Sequence, residues 1–313
     1  MPKQLGYDPA FLGLPVPLPA ADVATITLEY VHFTVALDPA RRLAAVTGVN
    51  VHGGLLVEIE RKNDRWSLDP RAPAVAQAGP ALYERNDFDR GHLVRRRDPG
   101  WGTPPVAKTA NDNTFHYPNA APQAAVLNQS KQLWAGLEDY LLEHTATYDR
   151  RLSVFTEPVL QTDDPVYRGV PIPLRFYKIA AWLQEDHLEC TGYVLDQIDL
   201  VPPIIDAERT REPVPPLGPF KTFQAPVRDI ADLTGLTMPV LLDRHPATSR
   251  GGTRGPVDPA DHHVGHHPAH DAGLKTTLWS GSGLGAQLGD LLQDRLRQHM
   301  VRVRLAPGGE RRR

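Results

Sequence analysis

Helical periodicity is concentrated in one stretch, residues 128–144, and this limits the folds that the chain can adopt. Apolar side chains recur there at helical spacing, at Leu133, Trp134, Leu137, Leu141 and Leu142. A second, short helix is predicted at residues 227–234, before Gly235. Strand-like segments dominate the rest, at residues 28–37, 43–51, 152–155, 176–183 and 187–195. Many strands and few helices predict an α+β fold, with helices flanking a central antiparallel sheet.

Composition divides the chain into four parts. Residues 1–24 are rich in proline and predict an extended N-terminal arm. Residues 25–246 carry the strand and helix patterns and are expected to form the folded domain. Residues 247–283 are rich in His, Gly and Pro, which is typical of a linker. Residues 284–313 predict an amphipathic helix followed by a basic tail.

Charge and cysteine content exclude few functions. The 313-residue chain has a formal net charge of -3 at pH 7, which neither supports nor excludes nucleic acid as a partner, because nucleic acid needs only a local basic patch. Cys190 is the single cysteine, and its alternating apolar surroundings favour a core residue over a catalytic thiol. The N-terminal residues lack the apolar core of a signal peptide, so we expect a cytoplasmic protein, with export by another route left open. No apolar run reaches the ~18 residues of a membrane span, so no membrane association is expected.

The first segment that can carry chemistry is Asp89-Arg90-Gly91-His92. A histidine can take a proton from water near neutral pH, because its unperturbed pKa lies close to neutrality. An arginine beside it can stabilise the negative charge that builds on a phosphoryl oxygen. We expect the glycine between them to let the backbone approach a bulky substrate.

A second polar segment leads into the predicted helix. It reads Phe115-His116-Tyr117-Pro118-Asn119-Ala120-Ala121-Pro122-Gln123 and continues to Leu127-Asn128-Gln129. Asn128 opens the predicted helix, and its amide oxygen is a hard ligand suited to Mg²⁺. Glu138 follows about three turns later, where a carboxylate can hold the waters of a metal ion by hydrogen bonds.

These segments together resemble the DNA/RNA non-specific endonuclease family. The resemblance is carried by the motifs D-R-G-H, N-x-A-P-Q, L-N-Q and L-E-D-Y in this order, and it extends more weakly over residues 25–245. It implies a ββα-metal finger, in which a hairpin carries D-R-G-H and the following helix carries a metal-binding asparagine.

The resemblance also implies an activity. A member of this family hydrolyses phosphodiester bonds of DNA and RNA and leaves 5′-phosphate ends. On this basis His92 is expected to be the general base, Arg90 to contact the phosphate beside it, and Asn119 to help shape the site.

One Mg²⁺ per site is implied as cofactor, for which Mn²⁺ is expected to substitute. Asn128 matches the sole direct protein ligand of that ion, and Glu138 matches the acidic residue that positions its waters. Asp89 is expected to support the finger rather than to react.

Arginines near the motifs are candidates for binding the substrate backbone. A second phosphate-binding arginine is expected upstream of the base, and Arg65 is slightly favoured over Arg61. Arg95 and Arg96 follow His92 directly, where a basic run can be a solvated loop or can steer nucleic acid into the site.

Two features depart from the family pattern. Two extra residues stand between Asn128 and Trp134, and Glu157 occupies the position before Pro158 where a glycine is usual. The insertion is what keeps an alternative function open, that of a non-catalytic nucleic-acid-binding or interaction protein on the same scaffold.

The C-terminal part carries two further features. Five histidines with a spacing that could bind a transition metal, His262, His263, His266, His267 and His270, lie in a Gly- and Pro-rich stretch that favours a solvated linker. The apolar face of the predicted C-terminal helix is expected to pack on the core, on a second copy in a homodimer, or on a partner. An inhibitor or immunity protein is also open as a partner.

Overall fold

The structure is a computed structural model of the chain, and it describes residues 4–60, 65–129, 145, 150–184, 186–210, 221–242, 274–277 and 301–305. Its strands are β1 (Ile26–Tyr30), β2 (Phe33–Asp38), β3 (Leu43–His52), β4 (Phe88–His92), β5 (Ala120–Ala124), β6 (Arg151–Val159), β7 (Val166–Tyr167), β8 (Val170–Pro171), β9 (Arg175–Gln184), β10 (His187–Asp196), β11 (Lys221–Ala225), β12 (Leu274–Thr277) and β13 (Val301–Leu305). Its helices are α1 (Pro80–Tyr83), α2 (Pro104–Asn113), α3 (Ala125–Gln129), α4 (Val201–Thr210), α5 (Val227–Thr234) and α6 (Pro239–Leu242).

Nine of these strands form one sheet, in the order β1-β2-β3-β6-β9-β10-β11-β13-β12. Every neighbouring pair in this sheet is antiparallel. Separate from it are two small sheets, β4-β5 and β7-β8. The predicted α+β class with a central antiparallel sheet is therefore confirmed.

The edge of the sheet differs from the prediction of one strand over residues 28–37. A tight turn at Val31 and His32 divides this segment into β1 and β2, and His32 adopts the left-handed conformation with φ 68°. Tyr30 pairs with Phe33 across the turn, and their ring centroids stack 4.6 Å apart. The first core takes Leu28 and Tyr30 before the turn and Phe33, Val35 and Leu37 after it, so the apolar alternation changes phase by one residue at the reversal. The prediction of a single strand passed over this change of phase.

The sheet buries both faces. Side chains alternate along a strand, so Val154 of β6 faces one core, whereas Phe155 faces the other. The first core contains Phe88 and Leu127, from β4 and α3. The second contains Ile230 of α5 and residues of the N-terminal arm.

The N-terminal arm is folded onto the second core rather than extended. Residues 8–14 form turns, and Phe11 and Val16 are buried. The Tyr7 hydroxyl donates a hydrogen bond of 2.7 Å to the Val16 carbonyl, which closes the arm on itself. The arm packs on β3 at Gly48, where a Cβ atom would meet the side chains of Leu18 and Tyr7. Burial of these apolar side chains stabilises the packing of the arm on the rest of the domain.

Two helix predictions are tested by the described residues. The short helix α5 begins at Val227 and ends at Thr234, as predicted, because Gly235 adopts the left-handed conformation with φ 69° that terminates it. The longer predicted helix begins earlier than expected, at Ala125, directly after β5. Residues 130–144 lie outside the described residues.

Two strands lie in the C-terminal part of the chain, where no strand was predicted. Leu274–Thr277 is a strand inside the predicted linker, and Val301–Leu305 is a strand where the predicted helix ends and the tail begins. β13 alternates Val, Arg, Val, Arg and Leu, a period of two that favours a strand, and it pairs with β11 and β12. The histidine cluster and most of the predicted C-terminal helix lie outside the described residues.

Glu157, the residue that departs from the family pattern, lies fully buried where β3 and β6 separate. The ladder between these strands ends at Gly48 and Phe155, and Oε1 of the Glu157 carboxyl group accepts a hydrogen bond of 2.8 Å from the backbone N–H of Thr47. Burial raises the pKa of Glu157 to about 8. The carboxyl is therefore protonated in the folded protein at pH 7, whereas it is ionised in the unfolded chain.

Glu157→Gln should make the protein more stable at pH 8 than the wild type. The folded protein holds the Glu157 proton up to about pH 8, while the unfolded chain releases it near 4.5, so folding loses stability as the pH rises between these values. The loss is on the order of 4 kcal/mol, and a neutral glutamine removes it while still accepting from Thr47. Urea unfolding of both proteins at pH 5 and pH 8 measures the effect. The same change in the free energy of unfolding between pH 5 and pH 8 in both proteins would contradict this prediction.

Candidate active site

The two polar segments of the sequence meet in one ββα unit. β4 carries Asp89, Arg90, Gly91 and His92, and it pairs antiparallel with β5. β5 runs directly into α3, which carries Asn128. The unit packs through Phe88 and Leu127 on the first core, so it rests on the central sheet.

Asn128 is joined to β4 by a side-chain hydrogen bond. Its amide nitrogen donates to the Asp89 carboxylate at 3.0 Å. Because the amide nitrogen is the atom that donates to Asp89, the amide oxygen of Asn128 faces away from Asp89. Asn128 is half-buried, and its oxygen is a hard donor of the kind that Mg²⁺ binds in proteins. The donor therefore fits the expected ion, and Asp89 holds the side chain that carries this donor.

His92 lies at the end of β4, half-buried between two aromatic rings. The ring centroid of Trp66 is 4.6 Å away, and that of Phe115 is 4.9 Å away with the rings at 86°. The Thr114 hydroxyl lies 3.4 Å from Nε2 of the imidazole. These contacts restrict the tilt of the imidazole. Arg90, two residues earlier on the same strand, is exposed to solvent.

Three of these neighbours were missed in the sequence. Thr114 comes directly before the second polar segment, Phe115 is the first residue of that segment, and Trp66 follows Arg65. Their positions next to the quoted motifs were the available signal. Contact between them and His92 depends on how separate loops meet, which a local pattern does not report.

Asn119 joins two loops beside His92 through buried hydrogen bonds. It is fully buried, and its amide nitrogen donates to the carbonyls of Val94 at 2.9 Å and Thr114 at 3.0 Å. Its amide oxygen accepts from the backbone N–H of Val94 at 2.9 Å. One side chain thereby ties the backbone that follows His92 to the residue that contacts the imidazole.

Gly91 serves a different purpose from the one predicted. It is buried, and a Cβ atom there would overlap the side chain of Gln123, which opposes Asp89 on β5. The expectation that this glycine admits the substrate is therefore wrong, because the space beside it is filled by the protein. Gln123 is fully buried, and within the described part of the chain neither polar atom of its side chain has a hydrogen-bond partner.

The loop that carries Trp66 is anchored to the sheet edge by a buried carboxylate. Asp69 accepts hydrogen bonds from the Tyr30 hydroxyl at 2.6 Å and from Arg71 at 2.7 Å. Burial by itself would raise the pKa of Asp69, but the hydrogen bonds from Arg71 and Tyr30 outweigh it and hold the pKa at about 2. Next to Trp66, Ser67 exchanges backbone hydrogen bonds with Phe115 and Tyr117, both at 3.0 Å.

The candidate arginines differ in how they are placed. Arg65 is exposed and adjoins Trp66. Arg95 is half-buried, and Arg96 donates a hydrogen bond of 3.3 Å to the Ile59 carbonyl. Arg97 forms an ion pair of 3.6 Å with Glu58. The run after His92 thus helps to hold residues 58–59.

Other site candidates lie outside the described residues, namely Arg61, Trp134 and Glu138. Within the described part of the chain, no group of three His, Cys, Asp or Glu side chains is arranged to hold a metal ion. A metal site built on Asn128 would therefore use the side-chain amide oxygen of this residue as a ligand.

No helix among the described residues is long and apolar enough to cross a membrane.

Comparison with known proteins identifies relatives over most of the described chain. The family model for DNA/RNA non-specific endonucleases matches residues 18–244. The chain is 40% identical to protein y4fB of Sinorhizobium fredii over 256 residues, which covers 74% of this chain and 38% of y4fB. It is 24% identical over 230 residues to Nuclease C1 of Cunninghamella echinulata var. echinulata, covering 69% of this chain and 83% of that one.

Mitochondrial endonuclease G of Bos taurus is a further relative, 28% identical over 204 residues, with 61% of each chain covered. Among solved structures, that of the EndoG/EndoGI complex superposes with a TM-score of 0.50 at 18% identity, covering 67% of this chain and 84% of that chain. This likeness supports the fold. The chain spans less than two thirds of y4fB and of endonuclease G.

Gly91→Ala should destabilise the protein by about 1–3 kcal/mol, because the added methyl group overlaps the fully buried side chain of Gln123. Adding Gln123→Ala to this variant should recover part of the loss, since it frees the space. Thermal unfolding of the wild type, both single variants and the double variant forms a mutant cycle. Additive effects would show that the two side chains do not interact.

Proposed function

Because the chain belongs to the DNA/RNA non-specific endonuclease family, we propose that it is a metal-dependent endonuclease that hydrolyses phosphodiester bonds in DNA and RNA. The proposal rests on the ββα unit. In this unit Asp89 of β4, the strand that carries His92, accepts a hydrogen bond from Asn128 of α3.

His92 is proposed as the general base. An imidazole can accept a proton from water at neutral pH, and this one is partly open to solvent. The hydroxide so formed attacks phosphorus, and the bond from phosphorus to the 3′ oxygen breaks. The 3′ oxygen takes a proton from solvent, and the phosphate stays on the 5′ end. Trp66 and Phe115 hold the imidazole for this step.

Arg90 and Arg65 are proposed to bind the substrate backbone. Both are exposed, Arg90 on the strand of His92 and Arg65 beside the ring that packs on it. A guanidinium can bind two phosphate oxygens at once and can stabilise charge that develops during attack. Arg95 and Arg96 are proposed to attract nucleic acid towards the site without binding one phosphate directly, because Arg96 already donates a hydrogen bond to the Ile59 carbonyl.

Asn128 is proposed as the direct protein ligand of one Mg²⁺, with Mn²⁺ as a substitute. When bound, the ion supplies Lewis-acid stabilisation of the negative charge on the phosphoryl group and on the departing oxygen. Asp89 holds the amide so that its oxygen is presented, and Asn119 keeps the surrounding loops in place. Glu138 is proposed to hold waters of the ion.

An inhibitory protein is proposed as a partner. The solved relative is described as a complex of EndoG with EndoGI that explains EndoG inhibition. We propose that an inhibitor or immunity protein binds this chain as well. Residues 25–246 are proposed as the catalytic unit.

His92→Ala should reduce cleavage of supercoiled plasmid and of RNA by about 10²–10⁴, because no group then takes the proton from water. The fold, followed by circular dichroism, should be retained. His187→Ala, which changes an exposed histidine at the start of β10, is the matched control and should cut normally. EDTA should abolish cleavage by the wild type. Cleavage by His92→Ala at the wild-type rate would show that His92 is not the general base. A wild-type protein that is inactive in Mg²⁺ would favour the alternative function, that of a non-catalytic nucleic-acid-binding protein.

Asp89→Ala should weaken Mn²⁺ binding by roughly 10-fold to 100-fold, as loss of a group that orients a metal ligand typically does. Asn128→Ala should remove the site. Asp87→Ala deletes a neighbouring, exposed carboxylate and should bind normally. Electron paramagnetic resonance of free Mn²⁺ measures the dissociation constants. Equal affinities for the Asp89 and Asp87 variants would mean that only charge matters, not the bond to Asn128.

A further inference from the structure

A fully buried glutamine, Gln197, lies directly after β10, where the chain turns towards α4. Its backbone N–H donates to the Leu174 carbonyl at 2.8 Å, and its carbonyl accepts from Leu200 at 3.0 Å and from Val201 at 3.1 Å. Leu174 leads into β9, the neighbour of β10 in the central sheet. The main chain of Gln197 is therefore fixed to the central sheet.

The side-chain amide of Gln197 makes three hydrogen bonds to backbone atoms. Its oxygen accepts from the N–H of Ala124 at 3.0 Å. Its nitrogen donates to the carbonyls of Pro122 at 3.1 Å and Pro173 at 2.6 Å, so both of its hydrogens are used. Pro122 and Ala124 belong to β5, whereas Pro173 lies just before β9. One side chain thus joins β5 to the central sheet.

These bonds occupy the edge of β5 that faces away from β4. Pro122 opposes Arg90 in the β4–β5 ladder, and a proline has no N–H to donate to the opposite strand. The Pro122 carbonyl and the Ala124 N–H lie on the same edge of β5, because the two residues are two positions apart. Both groups bond to Gln197, whose carboxamide thereby takes the place of a backbone amide in a third strand.

The support from Gln197 matters because β4 and β5 form a sheet of only two strands, which is marginally stable by itself in water. The bond to Ala124 lies at the junction of β5 and α3, four residues before Asn128. Leu127 and Leu195, which flank this junction and Gln197, are fully buried in the first core. Without the carboxamide, the Ala124 N–H and the Pro122 carbonyl would be left buried among apolar side chains, which is costly.

We propose that Gln197 is a positioning residue, which fixes β5 and the start of α3 on the central sheet and thereby sets the position of Asn128. This inference rests on the proposed function for its consequence in metal binding. The hydrogen bond from Asn128 to Asp89 orients the amide within the ββα unit, whereas Gln197 places that unit on the sheet. Loss of the carboxamide should therefore loosen residues 120–129 and weaken the metal site, although no residue of the site is changed.

The experiment compares Gln197→Leu, which removes all three hydrogen bonds at similar volume, with Gln77→Leu as a matched control. Gln77 is also buried, and its amide likewise makes three bonds to backbone atoms. Its nitrogen donates to the carbonyls of Asp69 and Ala72, both at 2.9 Å, and its oxygen accepts from the Asp69 N–H at 2.8 Å. These bonds lie outside the ββα unit, so the control loses the same number of buried bonds elsewhere.

Three measurements are made on the full-length proteins. Hydrogen exchange followed by mass spectrometry reports how firmly residues 120–129 are held. Electron paramagnetic resonance of free Mn²⁺ gives the dissociation constant, and Asn128→Ala measures the Mn²⁺ that is bound elsewhere. Plasmid nicking in Mg²⁺ gives kcat and KM. Gln197→Asn and Gln77→Asn, which keep a carboxamide on a shorter stem, are the milder pair to be used if a leucine variant does not fold.

Gln197→Leu should exchange faster over residues 120–129 than the wild type and bind Mn²⁺ about tenfold more weakly. Its kcat should fall by about 10-fold to 100-fold with KM within about twofold, because displaced groups slow the chemical step more than they weaken substrate binding. Gln77→Leu should lower the unfolding temperature by a similar amount, while exchange over residues 120–129 and Mn²⁺ affinity stay at the wild-type level. The milder pair should differ in the same direction.

Equal effects of the two leucine variants on exchange over residues 120–129 and on Mn²⁺ affinity would overturn the inference. Faster exchange in Gln197→Leu with wild-type Mn²⁺ affinity would also overturn it, because β5 would then be loosened without moving Asn128. A wild type that neither binds Mn²⁺ nor cuts would refute the proposed function instead. Exchange over residues 120–129 would still decide whether Gln197 fixes this segment on the sheet.

Discussion

The backbone pairing of β4 with β5 sets the positions at which the two polar segments of the sequence meet. Asp89 opposes Gln123 and His92 opposes Ala120, and β5 passes without a break into α3. A slip of one residue would turn each side chain of β4 to the opposite face. The fit of Gln123 into the space left by Gly91 makes such a slip unfavourable, because any other residue at this point would overlap it. The bond from Asp89 to Asn128 exists only in this register.

Buried polar side chains hold the loops around this unit. Asn119 joins Val94 to Thr114, and Asp69 fastens the loop of Trp66 to the sheet through Tyr30 and Arg71. Polar groups that are buried and satisfied give more directional control than apolar contacts, because each bond has a defined distance and angle. The imidazole of His92 thereby sits between groups that are themselves fixed, which is what a base needs if it is to meet water in one orientation.

Some features of the fold and the site were predictable from the sequence, because they depend on residues that are neighbours in the chain. Helix α5 was predicted with its end at Gly235, because a left-handed glycine is a local signal, and the motifs identified the family. The turn at His32 was not predicted, because apolar residues stand on both sides of it and their change of phase by one residue was taken as part of one strand. The role of Gly91 was assigned wrongly, since sequence does not show which side chain fills the space beside a glycine. Thr114 was not singled out, because its contact with His92 joins residues 22 positions apart.

The central claim is that one metal ion binds at the amide oxygen of Asn128, on the same ββα unit as His92. Crystals of the full-length protein soaked in Mn²⁺ test it directly through anomalous scattering. One strong anomalous peak is expected at coordination distance from Oδ1 of Asn128, with the amide nitrogen still hydrogen-bonded to Asp89. A peak bound to other side chains with Asn128 uninvolved, or an Asn128 amide turned so that its nitrogen faces the ion, would contradict it.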